Sequence, residues 1–262
     1  MFNVRIRIAL LMTALFLAMP PTPSFAAATG LPLVVPAYFD PVGKGAAFWS
    51  ELATTAAKVP TIVILNPNSG PGLREDPVYT AAIAKVRAAG GKVIGYVSSS
   101  YAKRSLSAVV SDINLYVSLY RLDGFFIDEM TNDSVTSHVQ FYQSVYNYIK
   151  GLSPRYSVMG NPGTSVPELY ASLPAADQFV VFEDSAKRYA SFASAPWQTR
   201  YPKSRFVHVV YGADASQLAK TIHFASTHGA GGVFVTSTGL PNPYKNLPAY
   251  WNQEVAAAAA LR

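Results

Sequence analysis

The chain of 262 residues is half hydrophobic, contains no cysteine and carries a formal net charge of +6. A chain of this length and composition can bury a sizeable core, and the lack of cysteine excludes thiol catalysis, disulfide bonds and cysteine metal sites. The charge is modest and scattered, unlike the dense basic stripe of a nucleic-acid-binding protein.

The N-terminal segment 1–26 has the pattern of a secretory signal peptide. Arg5 and Arg7 precede the apolar stretch 8–19, and a small-x-small motif precedes the predicted cleavage after Ala26. The apolar stretch is shorter than the roughly 20 residues that a membrane span needs. We therefore expect a secreted or periplasmic protein with one mature domain, residues 27–262. Without the two arginines this domain has 19 basic and 15 acidic residues, a net charge of +4.

In the mature region, short β-branched or aromatic runs alternate eight times with longer stretches, most of them amphipathic. Strict alternation of buried strands with helices implies a parallel sheet, and eight units match a single (β/α)8 TIM barrel. An open, doubly wound sheet is the alternative. The predicted strands are 33–39, 61–66, 92–98, 124–128, 156–160, 178–183, 205–211 and 232–236, and the clearest helices are 77–89, 106–120, 135–152, 215–227 and 248–261.

In such a barrel the loops after the carboxyl ends of the strands build the active site, so the residues that close each predicted strand are the candidates. They combine carboxylates for acid–base chemistry, aromatic faces for sugar rings, and amides and hydroxyls for sugar oxygens. The eighth strand would contribute Thr236, Ser237 and Thr238. The candidate substrate-binding residues are Tyr38, Asp40, Asn66, Asn68, Tyr96, Asn161, Asp184 and Tyr211.

Two predicted strands end in adjacent acids, Asp128 with Glu129 and Glu183 with Asp184. Because side chains alternate along a strand, strand geometry alone lets only one acid of each pair point into the barrel. On the fourth strand we select Asp128, with Glu129 at the tip where either direction is open. On the sixth we select Glu183, which would share its face with the side chains two and four positions before it.

Side chains from the fourth and sixth strands could bring two carboxyl groups to roughly 5–9 Å, which covers both retaining and inverting glycoside hydrolases. The same residues also have structural interpretations. Asp128 or Asp184 could be the N-cap of a following helix. The Asn-Pro and Gly-Pro pairs of the segment 66–72 could form only a tight turn.

The four histidines, His138, His208, His223 and His228, show no metal-ligand spacing. Only His208, within the seventh predicted strand, is placed to line the barrel. We therefore predict neither a metal nor an organic cofactor.

Six short segments lie in order along almost the whole mature chain. The most specific are Asn-Pro-Asn-Ser-Gly-Pro-Gly at 66–72 and Phe-Ile-Asp-Glu at 126–129. The others are Pro-Ala-Tyr at 36–38, Gly-Tyr-Val at 95–97, Asn-Pro-Gly at 161–163 and Phe-Glu at 182–183. Together they resemble the spherulation-specific (spherulin-four-like) family, which is related to the endo-α-1,4-galactosaminidases.

The resemblance implies a (β/α)8 barrel whose characterised relatives cut α-1,4-linked galactosamine or N-acetylgalactosamine polymers of microbial exopolysaccharide. It implies a catalytic carboxylate on the fourth strand and another on the sixth, which are Asp128 and Glu183 here, with Glu129 beside them. This agrees with the choice made from the strand ends.

The expected function is a secreted, monomeric endo-glycoside hydrolase of a biofilm-type polysaccharide such as galactosaminogalactan. Asp128 would act as nucleophile or electrostatic stabiliser, and Glu183 as general acid and then base. Glu129 would orient Asp128 or bind a substrate amino group. Retention is the favoured outcome, although the sequence leaves inversion open. The alternatives are a non-catalytic carbohydrate-binding or matrix protein on the same barrel, and a hydrolase of a different glycan.

Overall fold

The computed structural model describes residues 29–261, so the predicted signal peptide lies outside the described residues. Eight parallel strands pair in chain order, and β1 pairs with β8 to close a barrel. The closure confirms the predicted (β/α)8 barrel and excludes the open sheet. The strands are β1 Leu33–Ala37, β2 Thr61–Leu65, β3 Lys92–Ser98, β4 Gly124–Asp128, β5 Ser157–Gly160, β6 Gln178–Ser185, β7 Phe206–Tyr211 and β8 Gly232–Val235.

Helices surround the barrel and include every helix predicted from the sequence. The stretches before and after β6 form only short helices, α5 and α6. Within residues 29–261, no helix has the length and apolarity that a membrane span requires. The helices are α1 Lys44–Ala56, α2 Pro77–Ala88, α3 Leu106–Leu119, α4 Thr136–Leu152, α5 Leu169–Ser172, α6 Ala186–Tyr189, α7 Leu218–Thr227 and α8 Trp251–Ala259, with 3-10 turns at Pro196–Arg200 and Lys203–Arg205.

Short polar motifs decide where two of the helices begin. Asp76 caps α2 by accepting a hydrogen bond from the backbone N–H of Val78 at 2.9 Å, and Pro77 occupies the first helical position. Asp214 accepts from the backbone N–H groups of Ser216 and Gln217 at 2.8 and 3.1 Å. This turn delays α7, which begins three residues after its predicted start.

The apolar runs of the strands are buried on both faces, as predicted for a parallel barrel. All five residues of β1 are buried, and the first four residues of β4 are buried while Asp128 is partly exposed. Asp128 is therefore the point at which β4 leaves the core and reaches solvent.

The sixth strand contains a β-bulge. Val180 pairs with Val207, but the next pairing joins Phe182 to His208, so Val181 is an extra residue in β6. An extra residue reverses the alternation of side chains beyond it.

The bulge determines the direction of the acid at the end of β6. Phe179 faces outward, because its pairing partner Phe206 packs against Trp197 in the outer layer with ring centroids 5.6 Å apart. In an unbroken strand Val181 and Glu183 would share that outward face. Instead Glu183 lines the central pocket. The expectation that Glu183 shares a face with Phe179 and Val181 is wrong, although Glu183 is, as predicted, the inward acid.

His208 points away from the barrel interior. Its Nδ1 lies 2.6 Å from the hydroxyl of Tyr189, and its ring packs edge-on against Phe192 in the outer layer. Burial lowers the pKa of His208 to about 3, so the imidazole is neutral. The expectation that His208 lines the barrel is wrong, because the register of β7 gives its inward positions to Val207, Val209 and Tyr211.

Candidate active site

A pocket of about 790 Å³ opens at the carboxyl ends of the strands. Its volume lies in the range of small-molecule sites, about 300–1,000 Å³. It contains all three predicted catalytic residues, Asp128, Glu129 and Glu183. It also contains seven of the eight predicted substrate-binding residues, Tyr38, Asp40, Asn66, Asn68, Tyr96, Asn161 and Tyr211.

One amide bridges the carboxylates of β4 and β6. Asn161, which follows β5, donates from Nδ2 to Asp128 Oδ1 at 2.8 Å and to Glu183 Oε2 at 2.6 Å. Its Oδ1 accepts from the backbone N–H of Gly163 at 2.9 Å, and because that N–H can only donate, the orientation of the amide is fixed. The same nitrogen contacts both carboxylate oxygens. The distance between these two oxygens therefore cannot exceed the sum of the two contact distances.

Each of these carboxylates also has a tyrosine partner. The Tyr244 hydroxyl donates to Glu183 Oε1 at 2.5 Å, and the nearby Tyr96 hydroxyl lowers the pKa of Asp128. Burial and the nearby carboxylates hold the pKa of both tyrosines well above the ordinary value, so both remain neutral donors. Tyr38 lies between them, with ring centroids 5.7 Å from Tyr96 and 5.5 Å from Tyr244.

Asp128 is the carboxyl group whose proton affinity the site changes most clearly. Burial, followed by the negative charge of Glu183, raises the pKa of Asp128 to about 6, against the opposing hydrogen bonds from Tyr96 and Asn161. Asp128 and Glu183 share the Asn161 donor, and the negative charge of Glu183 disfavours ionisation of Asp128. Asp128 therefore holds a proton to higher pH than an exposed aspartate does.

Glu129 reaches the same pocket through an unusual backbone conformation. Its φ is 54°, in the left-handed region that non-glycine residues seldom adopt. This turn at the end of β4 brings its side chain back to the pocket, where Glu129 Oε2 accepts a hydrogen bond from Ser98 Oγ. The backbone resolves what the sequence left open, namely the direction of Glu129.

The loop after β3 holds the end of β4 through hydrogen bonds to its backbone carbonyl groups. Ser99 Oγ lies 2.9 Å from the carbonyl oxygen of Asp128 and 2.8 Å from that of Glu129, and the backbone N–H of Tyr101 donates to Glu129 O at 2.7 Å. Ser100, Tyr101 and Ala102 have consecutive φ values of 48°, 56° and 59°. Each left-handed residue costs about 1–2 kcal/mol, and such strain is concentrated at functional sites.

The segment 66–72 forms both a tight turn and a wall of the pocket. The backbone N–H of Gly70 donates to Asn66 Oδ1 at 2.9 Å, and the backbone N–H of Asn68 donates to Gly70 O at 3.2 Å. Asn66 and Asn68 both line the pocket. On the neighbouring strand end, Asp40 accepts a hydrogen bond from the Tyr79 hydroxyl at 2.7 Å.

Asp184 is the one candidate that lies outside the pocket. It follows inward-facing Glu183 and lies beside the pocket wall, where it accepts a hydrogen bond from the hydroxyl of the pocket residue Tyr211 at 3.1 Å and lies 3.5 Å from Arg188. The N-cap of α6 is Ser185 and not Asp184, and Asp128 caps no helix. The N-cap interpretation of both aspartates is therefore wrong.

Sequence reasoning missed the contribution of the β8–α8 loop. Thr236 is buried and the Thr238 hydroxyl donates to Asn246, whereas the pocket is lined by the segment 240–244 with Tyr244 at its inner end. The signal was present as Pro-Asn-Pro-Tyr, an aromatic residue in a long loop at the carboxyl end of the barrel. Tyr101, after β3, was missed in the same way.

The pocket is strongly acidic. Its lining contains four carboxylates, Asp40, Asp128, Glu129 and Glu183, and no lysine, arginine or histidine. Within the described residues, no group of three or more histidine and acidic side chains is arranged to hold a metal ion. The pocket therefore favours ligands that carry positive charge or hydrogen-bond donors.

Comparisons with known proteins agree with this geometry. The family model described as "Spherulation-specific family 4" matches residues 32–258. Spherulin-4 of Physarum polycephalum is 34% identical over 242 residues, which cover 87% of this chain and 70% of that protein.

Solved structures show the same fold. The crystal structure of Aspergillus clavatus Sph3 in complex with GalNAc has a TM-score of 0.78 and 24% identity, covering 88% of this chain and 98% of that one. A chitinase from Chromobacterium violaceum has a TM-score of 0.58 and 12% identity, covering 88% and 99%. An endo-1,4-beta-mannanase from Eisenia fetida has a TM-score of 0.53 and 12% identity, covering 88% and 91%. The fold is thus one that glycoside hydrolases use.

Proposed function

Because the chain belongs to spherulation-specific family 4, we propose that it is an exported, endo-acting glycoside hydrolase that cleaves α-1,4-linked galactosamine or N-acetylgalactosamine polymers. Export rests on the signal-peptide pattern of the segment 1–26. Hydrolase activity rests on the acidic pocket of a barrel whose fold is shared with glycoside hydrolases.

The observation that carries the proposal is the bridging of two carboxylates by Asn161, whose nitrogen lies 2.8 Å from the one and 2.6 Å from the other. Retaining glycosidases hold their two carboxyl groups about 5–5.5 Å apart, whereas inverting enzymes need about 6.5–9.5 Å to admit a water molecule. Two contacts of this length to one nitrogen hold the nearest oxygens of the two carboxylates close together, as a retaining pair requires. The separation supports direct attack by one carboxylate and net retention of the α configuration.

In this mechanism an Asp128 oxygen attacks the anomeric carbon as the bond to the leaving oxygen breaks, and Glu183 gives its proton to that oxygen. Glu183 then takes a proton from water, whose oxygen attacks the same carbon and releases Asp128. Because Asp128 must be ionised to attack and its pKa is raised to about 6, we expect the reaction rate to fall as the pH drops below about 6. Tyr96 and Asn161 lower the pKa of Asp128 and stabilise the carboxylate form that must attack.

The substrate class is supported by charge and by similarity. Four carboxylates without a basic neighbour in the pocket lining suit an amino sugar, whose free amine is cationic. The similar Sph3 structure contains GalNAc. Tyr38, Tyr96 and Tyr244 supply aromatic surface for sugar rings beside the carboxylates.

The deciding experiment incubates purified protein with galactosaminogalactan and with a partially acetylated α-1,4-galactosamine polymer, and detects released oligomers by mass spectrometry. Wild type is compared with Glu183→Gln and with the matched control Asp184→Asn, which changes the adjacent acid outside the pocket. We expect oligomers from wild type and Asp184→Asn but none from Glu183→Gln.

Parallel incubations with chitin and mannan test the alternative of a different glycan. Cleavage of one of these but of neither galactosamine polymer would overturn the substrate assignment. Binding of a galactosamine polymer without any product would overturn the hydrolase assignment and favour a carbohydrate-binding protein.

A further inference from the structure

Tyr101 is an aromatic side chain that lines the pocket and yet is largely exposed. Its exposed fraction is 52%, whereas Tyr96 and Tyr244 are buried deep in the same pocket. Burial, followed by the charges of Glu129 and Asp128, raises the pKa of its hydroxyl. Tyr101 thus combines an exposed aromatic ring with a place in the lining of the acidic pocket.

The backbone holds Tyr101 in place at an energetic cost. It is the middle one of three consecutive left-handed residues, and its N–H donates to Glu129 O at 2.7 Å. Arg104 fixes the base of the same turn, donating from Nη1 to Ser98 O at 2.8 Å while its Nη2 pairs with Asp112 at 2.8 Å. Strain of this kind persists only where surrounding contacts enforce it, and it marks positions with a function.

We propose that Tyr101 forms a second sugar-binding subsite, a platform on which a pyranose ring of the bound chain stacks at a distance from the bond that is cut. This inference rests on the proposed function. The ligand is an α-1,4-linked amino sugar, because the apolar face of the ring packs on the phenol and a free ammonium group gains a cation–π contact. The carbonyl oxygen of Glu129 accepts a hydrogen bond from the Tyr101 backbone N–H, so the negative charge of Glu129 lies near this position.

The β8–α8 loop brings a second exposed apolar side chain to the pocket. Leu240, in this loop, is 71% exposed and also lines the pocket. Tyr101 and Leu240 thus offer contacts to a ligand from two different loops. A polymer can therefore lie across the pocket with one ring at the carboxylates and another on Tyr101, which is the arrangement that internal cleavage requires.

The test uses α-1,4-linked N-acetylgalactosamine and galactosamine oligomers of increasing length. The affinity of each is measured by titration calorimetry in Glu183→Gln protein, alone and combined with Tyr101→Ala or Tyr101→Phe. The matched control is Leu73→Ala, which removes an apolar side chain that is 94% exposed and does not line the pocket. The same three substitutions are assayed for kcat/KM in the otherwise wild-type enzyme.

We expect Tyr101→Ala to weaken binding and kcat/KM about tenfold on long oligomers, with a smaller loss on the shortest one. Tyr101→Phe stays within about twofold because the ring face is retained, and Leu73→Ala does not change either quantity. If Tyr101→Ala binds oligomers of every length as tightly as the protein with Tyr101, the subsite proposal is wrong. It is also wrong if Tyr101→Phe loses as much affinity as Tyr101→Ala.

The binding arm separates this inference from the proposed function. If the wild-type enzyme cleaves nothing but Tyr101→Ala still weakens binding of long oligomers, the subsite stands and the hydrolase assignment fails. If wild type cleaves the polymer and Tyr101→Ala behaves identically, the subsite fails alone. Absence of any oligomer binding overturns both.

Discussion

The carboxyl ends of β4 and β6 carry the same pattern, an apolar run followed by two acids, but the fold places the two pairs differently. At β4 both Asp128 and Glu129 line the pocket. At β6 only Glu183 does, while Asp184 lies outside the pocket and accepts a hydrogen bond from the Tyr211 hydroxyl. Identical sequence patterns on one barrel therefore yield two pocket acids in one case and one in the other.

Two local backbone features cause the difference. Glu129 has a left-handed φ of 54°, which directs its side chain into the pocket. Regular alternation along the strand would direct it away from the pocket. In β6 the bulge at Val181 selects Glu183, and the strand then continues through Asp184 to Ser185 with regular pairing. The comparison teaches that the direction of an acid at a strand end depends on the backbone as much as on its position in the pattern.

We expect the largest change in kcat when the two acids at the end of β4 are substituted one at a time. Asp128→Asn should lower kcat on the polymer by about a thousandfold or more, because the attacking oxygen is lost. Glu129→Gln should lower it only about tenfold to a hundredfold, because Glu129 is hydrogen-bonded to Ser98 and not to Asn161. Initial rates of oligomer release measure both. Equal losses in the two variants would contradict the separate roles.

The second prediction concerns stability against pH. The folded pKa of Asp128 is about 6 and its ordinary value is 3.8, so folding strengthens proton binding. Protonation of Asp128 therefore stabilises the folded protein fully at a pH below the pKa of the unfolded chain. This stabilisation, about 3 kcal/mol, is lost as the pH rises to about 6. Urea denaturation at pH 4 and pH 7 should show this decline in wild type.

Asp128→Asn provides the control for that prediction, because its amide does not titrate. Its stability should decline less between pH 4 and pH 7 than that of wild type. A decline of the same size in both proteins would place the responsible group elsewhere, for example at the buried Glu254, whose pKa burial also raises.

The strands and the site residues at their ends could be predicted from the sequence, because the barrel excludes solvent from its strands. Strands buried on both faces must be continuous apolar runs, and the polar residue that ends each run marks the mouth of the barrel. This reasoning located Asp128, Asn161 and Glu183 within one pocket. The bulge at Val181 could not be predicted, because an ordinary valine occupies it without the glycine or proline that would signal an irregular strand.

Long-range packing accounts for what else was missed. Tyr244 reaches Glu183 from a loop 61 residues further along the chain, and no periodic pattern specifies where such a loop folds. Asn161 was expected to bind sugar oxygens, whereas its NH₂ group is engaged by two carboxylates. Its bridging role depends on the register of β4, β5 and β6, which composition and periodicity do not determine.

A third prediction tests the bridge that joins the two acidic strand ends. Asn161→Ala removes the donor shared by Asp128 and Glu183 and should lower kcat about tenfold to a hundredfold. Because donation from Asn161 lowers the pKa of Asp128 and Asp128 must be ionised to attack, loss of this donor should move the acidic limb of the kcat/KM profile to higher pH. Reduced activity with an unshifted profile would mean that Asn161 acts only through packing.

The smallest effect is expected at the strained turn that supports the β4 end. Ser100 has a φ of 48° and its side chain makes no hydrogen bond among the described residues, so Ser100→Gly should relieve strain at little other cost. We expect the free energy of unfolding to rise by about 0.5–1 kcal/mol, since glycine adopts left-handed conformations freely but loses more entropy on folding. Urea denaturation measures the change. A destabilised Ser100→Gly protein would show that the left-handed conformation of Ser100 stores no strain, and that this turn holds Tyr101 and Glu129 in place without a cost in stability.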